Sequence, residues 1–210
     1  YFFYLLFSMR LKRTKIISIN DSHNETEVHV SGWVRTKRQS KNVSFVSLND
    51  GSTINNLQIV FEMSDFTESF IDEISTGCSL SVVGKLLKSE GKNQKFEILA
   101  SKVEILGKAH PDEYPIQPKR HTFEFLRDVA HLRPRTNTFS AIFRIRHSVI
   151  FSIHKFFNDR GFFNIHTPII TSSDAEGAGE MFKVTSLDLN KKDLDFKNDF
   201  FSKQVNLTVS

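Results

Sequence analysis

The residues best suited to bind a charged partner lie between positions 35 and 58. Four cations and no acid occur within seven residues, at Arg35, Lys37, Arg38 and Lys41, and Phe45 follows shortly after. Cations that track a sugar–phosphate backbone and aromatic rings on which bases stack are the combination used to bind single-stranded nucleic acid, each stack contributing about 1–3 kcal/mol. By themselves the cations also fit a solvated loop, and Phe45 also fits a protein core.

A second candidate is the acidic, glycine-rich segment EGAGEMF at 176–182. Gly177 and Gly179 let a backbone approach a ligand closely, and Glu176 could hold an ammonium group by a charge-assisted hydrogen bond. The third glycine of a nucleotide-binding fingerprint is missing. From the residues alone, Glu176 is interpreted as a solvated loop acid.

The elements that would position the first candidate follow the order of an OB-fold barrel. Ser64 can cap a helix on which Phe66, Phe70 and Ile74 recur every four residues. Strand-like runs lie on either side of that helix, three before it and two after it, at 28–34, 43–48, 54–62, 78–87 and 95–106. Three strands, a helix and two strands is the OB-fold order.

Alternation within the second run decides which face Phe45 occupies. Phe45 alternates with Val46 and Leu48, so it is predicted to point away from the face that those two share, and Gln58 on the third run can lie on the same surface. Trp33 is expected to pack inside the barrel. The position of the cations beside this strand favours nucleic-acid binding over a solvated loop.

Proline usage predicts where the barrel ends. Four of the five prolines fall between Pro111 and Pro134, which suits a connector rather than a domain interior. We therefore predict four regions, namely an amino-terminal extension, a barrel, a connector and a second domain, at 1–27, 28–107, 108–136 and 137–210.

The second domain is predicted to begin with a long helix. Thr138 can cap it and Gly161 supplies its stop. Its apolar residues form a wide arc, which fits burial on two sides or a deeply buried core helix: Phe139, Ile142, Phe143, Ile145, Val149, Ile150, Ile153, Phe156 and Phe157.

A helix that ends at Gly161, a short strand broken at Pro168 and a glycine-rich acidic loop together resemble motif 1 of the class II aminoacyl-tRNA synthetases. EGAGEMF, KRHTFEFLRDVAHLRPRT at 119–136 and FFSKQVNLTVS at 200–210 are similar to the bacterial asparaginyl-tRNA synthetase family, whereas aspartyl enzymes usually have EGARD in the loop. The resemblance extends from about residue 28 to residue 210. It implies a β-barrel (OB-fold) followed by the start of an α+β catalytic domain, an antiparallel sheet with helices.

The resemblance also assigns roles to residues of the barrel. In the related aspartyl and asparaginyl enzymes an arginine, a phenylalanine seven residues later and a glutamine on the third strand contact the anticodon. Arg38, Phe45 and Gln58 match those positions. The resemblance therefore implies that Phe45 stacks on an anticodon base and that Gln58 hydrogen-bonds one.

Four further positions acquire roles in the same way. Glu176 matches a glutamate that contacts the ammonium group of the amino acid, and Ser210 matches the first residue of a further substrate-contacting segment. Gly161 and Pro168 belong to the helix and strand that form much of the dimer interface in that family.

The implied activity is that of an asparagine–tRNA ligase, which uses ATP and Mg²⁺ to form asparaginyl adenylate and then charges tRNA(Asn) as a homodimer. The motif 2 arginine and the motif 3 arginine do not occur among these 210 residues. We therefore expect the chain alone neither to activate asparagine nor to bind ATP tightly. Two alternatives remain, an aspartate–tRNA ligase of the same class and a non-catalytic OB-fold module that binds tRNA.

Composition adds weaker limits. A net charge of +4 mildly favours a polyanionic partner. The single cysteine, Cys78, excludes an internal disulfide and has no partner for catalysis or metal binding. The absence of a possible disulfide indicates a reduced, cytoplasmic setting. The apolar residues 1–8 are too short to span a bilayer and lack the features of a secretory signal, so no membrane association is expected.

Overall fold

The computed structural model describes residues 12–89, 91, 94–173, 181–191 and 193–208. The chain forms two compact units, Tyr1–Val149 and Ile150–Ser210, which are described separately below. The division falls within a long helix.

The first unit is built on the predicted OB-fold barrel, which is confirmed. Five strands close in the order β1-β2-β3-β5-β4, with β3 and β5 parallel and the other pairs antiparallel. Their bounds are β1 Glu27–Gln39, β2 Val43–Asn49, β3 Leu57–Glu62, β4 Ser79–Lys88 and β5 Phe96–Gly107. The first strand runs five residues beyond its predicted end, and the third begins three residues later than predicted.

Period-two alternation fills the interior of the barrel. Along the strands the buried positions recur at every second residue and are mostly apolar, with Ser44 as a polar exception, and this burial of apolar side chains is the main stabilising contribution. The residues with no exposed surface include Val30, Val46, Leu48, Ile59, Phe61, Leu80, Val82, Leu86 and Ile98. Ile16, from the predicted amino-terminal extension, is also buried in this core.

A short helix, α1 (Glu68–Asp72), lies between β3 and β4. Its cap is Thr67, whose side chain accepts a hydrogen bond from the Phe70 backbone N–H, so the predicted Ser64 cap is wrong. The physical reason is that Phe66 packs edge-on against Phe61 of the barrel, which holds residues 63–66 in a turn and delays the helix.

The proline-rich segment after β5 packs closely on the barrel. Ile116 and Leu126 are buried, and a short helix α2 (Phe123–Asp128) is capped by Thr122. A Cβ atom at Gly77 would lie 2.7 Å from the Tyr114 ring, so this glycine admits the ring. The predicted bounds of the connector and of the domains stay a prediction.

The long helix α3 spans Asn137–Asn158. The Thr136 hydroxyl accepts a hydrogen bond from the Phe139 backbone N–H at 3.4 Å, so Thr136, not Thr138, caps the first turn. The predicted stop is confirmed, because Gly161 has φ 82° and the Phe162 N–H donates to the Phe157 carbonyl at 3.2 Å. No residue of α3 is buried, and most of the predicted apolar arc is exposed, with Phe139 and Phe143 half-buried.

The second unit contains a small antiparallel sheet in the order β6-β8-β7, from Ile170–Thr171, Val205–Leu207 and Lys183–Val184. Asp199 links two segments of the chain next to this sheet through hydrogen bonds. One carboxylate oxygen accepts hydrogen bonds from the N–H and hydroxyl of Ser186, at 3.0 and 2.7 Å, and from the Phe200 N–H at 2.8 Å.

Among the helices of the described residues, none has the length and apolar character needed to cross a membrane.

Candidate nucleic-acid interface

Strand register brings the three predicted anticodon residues onto one outer face of the barrel. Arg38 of β1 is opposite Phe45 of β2, and Phe45 is opposite Val60 of β3. Gln58 is opposite Ser47, two residues along β2 from Phe45. Because directly opposed side chains have Cβ atoms about 4.5–5.5 Å apart and share a face, the three form one continuous surface.

The environment of Phe45 suits a ring that stacks on a base. Phe45 is half-buried, whereas its neighbours Ser44 and Val46 are fully buried, so the predicted orientation of Phe45 away from the core is confirmed. Arg38 beside it is exposed. An aromatic ring held at its base by a sheet and flanked by an exposed cation is an arrangement typical of single-strand binding surfaces.

Gln58 is oriented by an acid that the sequence analysis did not single out. The Gln58 Nε2 donates to Glu97 Oε2 at 3.1 Å, and the same oxygen accepts from the Ser89 hydroxyl at 2.8 Å and from Gln94 Nε2 at 3.2 Å. A carboxylate can only accept here, which fixes the amide nitrogen on its side. The carbonyl oxygen of Gln58 is thereby left to accept a hydrogen bond from a base.

Glu97 was detectable only in part from sequence. Its alternation with Phe96 and Ile98, both buried, places it on the outer face. Its proximity to Gln58 depends on the parallel pairing of β3 with β5, where Gln58 is opposite Glu97 across 39 residues of chain. No local pattern encodes that pairing.

The four cations do not form one patch, which corrects the expectation that they act together. Arg38 lies beside Phe45, and Lys41 lies exposed in the turn after β1. The Lys37 ammonium instead donates to the Ile71 carbonyl at the end of α1, at 2.8 Å, and Arg35 donates to the Asn137 side chain at 3.1 Å. Successive residues of a strand face opposite sides, so Lys37 and Arg38 diverge, and the register of β1 shifts between Val34 and Thr36, where Arg35 lies.

Trp33 is not a barrel-packing residue, so that expectation is wrong. It is 39% exposed, and the Arg135 guanidinium lies 4.9 Å from the centre of its ring. Val30 and Val34 take the inward positions of β1. Trp33 is adjacent to the inward-facing Val34 and therefore faces outward. The alternation of residues along β1 is thus sufficient to predict that Trp33 lies outside the barrel.

The predicted substrate and dimer residues lie in the second unit. Gly161 follows the end of α3, and Pro168 precedes β6 by two residues in an exposed segment without regular secondary structure. Glu176 and Ser210 lie outside the described residues. Their predicted roles therefore stay predictions.

Comparison with known families agrees with this arrangement. A family described as "OB-fold nucleic acid binding domain" matches residues 28–106, and one described as "tRNA synthetases class II (D, K and N)" matches residues 123–208. A barrel of the first kind followed by the start of the second defines the class: the chain belongs to the class II aminoacyl-tRNA synthetases.

Curated relatives specify the branch within that class. The chain is 56% identical over 207 residues to the asparagine–tRNA ligase of Parabacteroides distasonis and 52% identical over 208 residues to that of Bacteroides fragilis. These matches cover 95% and 96% of the chain but 44% of each relative, so the chain spans less than half the length of the relatives it matches. Its family within the class is that of the asparaginyl-tRNA synthetases.

A solved structure shares the fold. The asparaginyl-tRNA synthetase from Pyrococcus horikoshii complexed with asparaginyl-adenylate matches with a TM-score of 0.78 at 21% sequence identity. The match covers 95% of this chain and 43% of that chain.

Proposed function

We propose that this chain is the anticodon-binding and motif 1 portion of an asparagine–tRNA ligase. The observation that carries the proposal is the single outer face formed by Arg38, Phe45 and Gln58 on a closed barrel, in a chain half identical to asparagine–tRNA ligases. The complete enzyme would join asparagine to ATP, release pyrophosphate, and transfer the asparaginyl group to a ribose hydroxyl at the 3′ end of tRNA(Asn).

Each residue of the face would perform a different part of anticodon recognition. Phe45 would stack on a base, a contact that is tolerant of sequence and contributes about 1–3 kcal/mol. Gln58 would provide sequence discrimination by accepting a hydrogen bond from a base edge, and Arg38 would hold the backbone phosphate. Glu97 would act as a positioning residue for Gln58.

The second unit would contribute to the amino-acid pocket and to a dimer. We infer from the family that Glu176 and Ser210 contact asparagine, and that the segment from Gly161 to Pro168 lies in a homodimer interface. The exposed apolar residues of this unit support the interface, because monomeric proteins rarely expose large contiguous apolar patches. Among them are Phe156, Phe162, Phe163, Ile165 and Ile169.

ATP and Mg²⁺ enter the proposal as requirements of the whole enzyme. Within the described ranges no group of three or more His, Cys, Asp or Glu residues is placed to hold a metal ion. No catalytic step is therefore assigned to the described residues. The cytoplasm, where translation takes place, is the proposed location.

Binding of the anticodon stem-loop of tRNA(Asn) tests the proposal directly. We expect Phe45→Ala to weaken binding by about 1–3 kcal/mol, the worth of one stacked base, in a filter-binding assay. Phe45→Trp retains a stacking surface and should bind much as the original chain does. Equal binding by the Ala and Trp variants and the unchanged chain would remove Phe45 from the interface.

The role of Gln58 and Glu97 has its own test. Glu97→Gln keeps the shape of the side chain but no longer forces the amide nitrogen of Gln58 toward it. We expect affinity for the tRNA(Asn) stem-loop to fall and its discrimination against the tRNA(Asp) stem-loop to narrow. Loss of affinity for both stem-loops in equal proportion would contradict a positioning role through Gln58.

The two alternatives predict different outcomes. An aspartate–tRNA ligase would prefer the tRNA(Asp) stem-loop, which the same assay reveals. A non-catalytic binding module predicts that no longer form of the protein catalyses asparagine-dependent exchange of pyrophosphate into ATP. We expect that exchange in a full-length enzyme and none from the 210 residues alone, because they lack the arginines of motifs 2 and 3.

A further inference from the structure

A cavity of about 460 Å³ lies entirely within the first unit, between the barrel, the proline-rich segment and the first half of α3. Its walls are largely apolar, but three arginines reach it from different elements: Arg35 from β1, Arg135 from the turn before α3, and Arg144 from α3 itself. Pockets of this size with a few converging polar groups are typical of ligand sites.

Hydrogen bonds to uncharged acceptors hold each guanidinium in place. Arg35 Nη2 donates to Asn137 Oδ1 at 3.1 Å, and Arg135 Nη1 donates to the Tyr114 hydroxyl at 3.2 Å. Arg144 Nη2 donates to the Gly51 carbonyl at 2.6 Å. Each guanidinium has five N–H donors, so these contacts fix its orientation and leave other donors for a ligand.

The positive charge of the cavity is not compensated by the protein. Among the described residues no Asp or Glu lines it, and none of the three arginines forms an ion pair with any of them. Asp50, next to Gly51 in the chain, is engaged by the Ile16 and Ser52 backbone N–H groups, each at 2.9 Å. Burial lowers the pKa of Arg35, Tyr114 partly opposes this, and the charge of Arg135 adds to the lowering.

We propose that this cavity binds a phosphodiester group of the RNA held by the barrel. Arginine matches phosphate geometry better than lysine does, and apolar walls strengthen the attraction by lowering the local dielectric constant. Arg35 lies three residues before Arg38 on β1, a separation of about 10 Å along a strand. An RNA held at Arg38 must therefore extend about this distance along β1 to reach Arg35. The inference rests on the proposed tRNA binding and adds a second contact to it.

The salt dependence of tRNA binding tests the proposal. Each phosphate contact contributes about 0.7–0.9 to the slope of log K against log salt concentration. We expect Arg35→Gln to reduce that slope by about one for a tRNA(Asn) transcript and to weaken binding about tenfold at low salt. Arg35→Lys keeps the charge and should restore most of the slope.

Matched variants distinguish tRNA binding at the cavity from a general effect of the net charge of the protein on tRNA binding. Arg127→Gln removes the same charge from an exposed side chain near Glu124, outside the cavity, and should leave the slope nearly unchanged. Arg144→Gln should behave as Arg35→Gln does. Thermal melts of each variant establish that it is folded. Equal slopes for Arg35→Gln, Arg144→Gln and Arg127→Gln would overturn the proposal.

Two further outcomes are informative. Phe45→Ala tests the anticodon surface independently: if it weakens tRNA binding while the cavity variants do not, the cavity assignment fails and the proposed function stands. Millimolar inorganic phosphate provides the other arm. One possible result is that phosphate raises the melting temperature of the original chain but not that of Arg35→Gln, while the salt dependence of tRNA binding is identical for the two. The cavity then binds a free anion, and the RNA assignment is overturned.

Discussion

The barrel and the second unit differ in how completely each buries its own apolar residues. Strands β1 to β5 enclose residues with no exposed surface, such as Ile59, Phe61 and Leu80. In the second unit, only Val205 and Asp199 are buried among the described residues. Phe163 and Phe182 there are 88% and 79% exposed.

This difference separates a structure that is stabilised by its own core from one that needs another surface. Burial of a large apolar side chain contributes about 1.5–3 kcal/mol, so the barrel has a sufficient source of stability within itself. A helix whose apolar arc has no covering layer lacks that contribution, since most helical stability in proteins comes from packing. The barrel is therefore expected to fold independently, and the second unit to become fully ordered only when its apolar face is covered.

Hydrogen exchange is expected to give the largest contrast. Amides of β2, β3 and β4 should exchange only through global unfolding, whereas amides of residues 151–173, 181–191 and 193–207 should exchange through local opening with a free energy several kcal/mol lower. Exchange measured by NMR or mass spectrometry on the 210-residue chain checks this. Similar protection in both units would break the comparison, and protection of the second unit that rises with protein concentration would point to self-association.

Two phenylalanines provide the next test, because they differ in burial and not in chemistry. Phe61→Ala removes a fully buried ring from the barrel and should lower its free energy of unfolding by about 3–5 kcal/mol. Phe157→Ala removes a ring that is 48% exposed and should change it by less than about 0.5 kcal/mol. Urea unfolding followed by the fluorescence of Trp33 measures both. A comparable loss from Phe157→Ala would mean that the helix contributes to the stability of the barrel.

The same contrast governs what sequence reasoning could predict. In the barrel, the alternation of Val46, Leu48 and Phe45 determines the outward face directly, and the order of strands and helix determines the topology. The error at Trp33 came from residue type: a large aromatic residue was expected inside although its position in the alternation is outside. Burial follows the period of the strand, and a single residue type does not override it.

Contacts between segments that are far apart along the chain could not be predicted from the sequence. The Gln58–Glu97 hydrogen bond and the convergence of Arg35, Arg135 and Arg144 each require knowledge of which elements are neighbours. The helix caps were predicted wrongly for a different reason. Thr136 and Thr138 both have a hydroxyl suited to a cap, and α3 begins at Asn137, so it is Thr136 whose hydroxyl accepts from the Phe139 N–H. The substrate residues of the second unit were identified only through family resemblance.

A smaller effect is expected at two glycines that share one conformation. Gly161 has φ 82° and Gly51 has φ 79°, and a Cβ atom at either would have nothing within 4 Å. Alanine at either position should cost about 1 kcal/mol of backbone strain. In Gly51→Ala the cost should appear in urea unfolding of the barrel, whereas in Gly161→Ala it should appear only as faster exchange near Asn158. Loss of barrel stability in Gly161→Ala would show that the two units unfold together.

The smallest expected effect is a dependence of the second unit on acid. The neighbouring Thr185 hydroxyl, followed by the N–H and hydroxyl of Ser186, holds the pKa of Asp199 well below its usual range. Because the pKa is lower in the folded state than in the unfolded state, the stabilisation is present above the unfolded value of about 4 and is lost as the pH falls below it. The NMR chemical shifts of the Val205 to Leu207 amides should therefore change between pH 5 and pH 2, while those of β3 do not.

Asp199→Asn should loosen the segment from Val205 to Leu207 already at pH 7, whereas Asp195→Asn, at an exposed position, should not. An Asp199→Asn variant with unchanged shifts at pH 7 would show that the small sheet is held by other contacts.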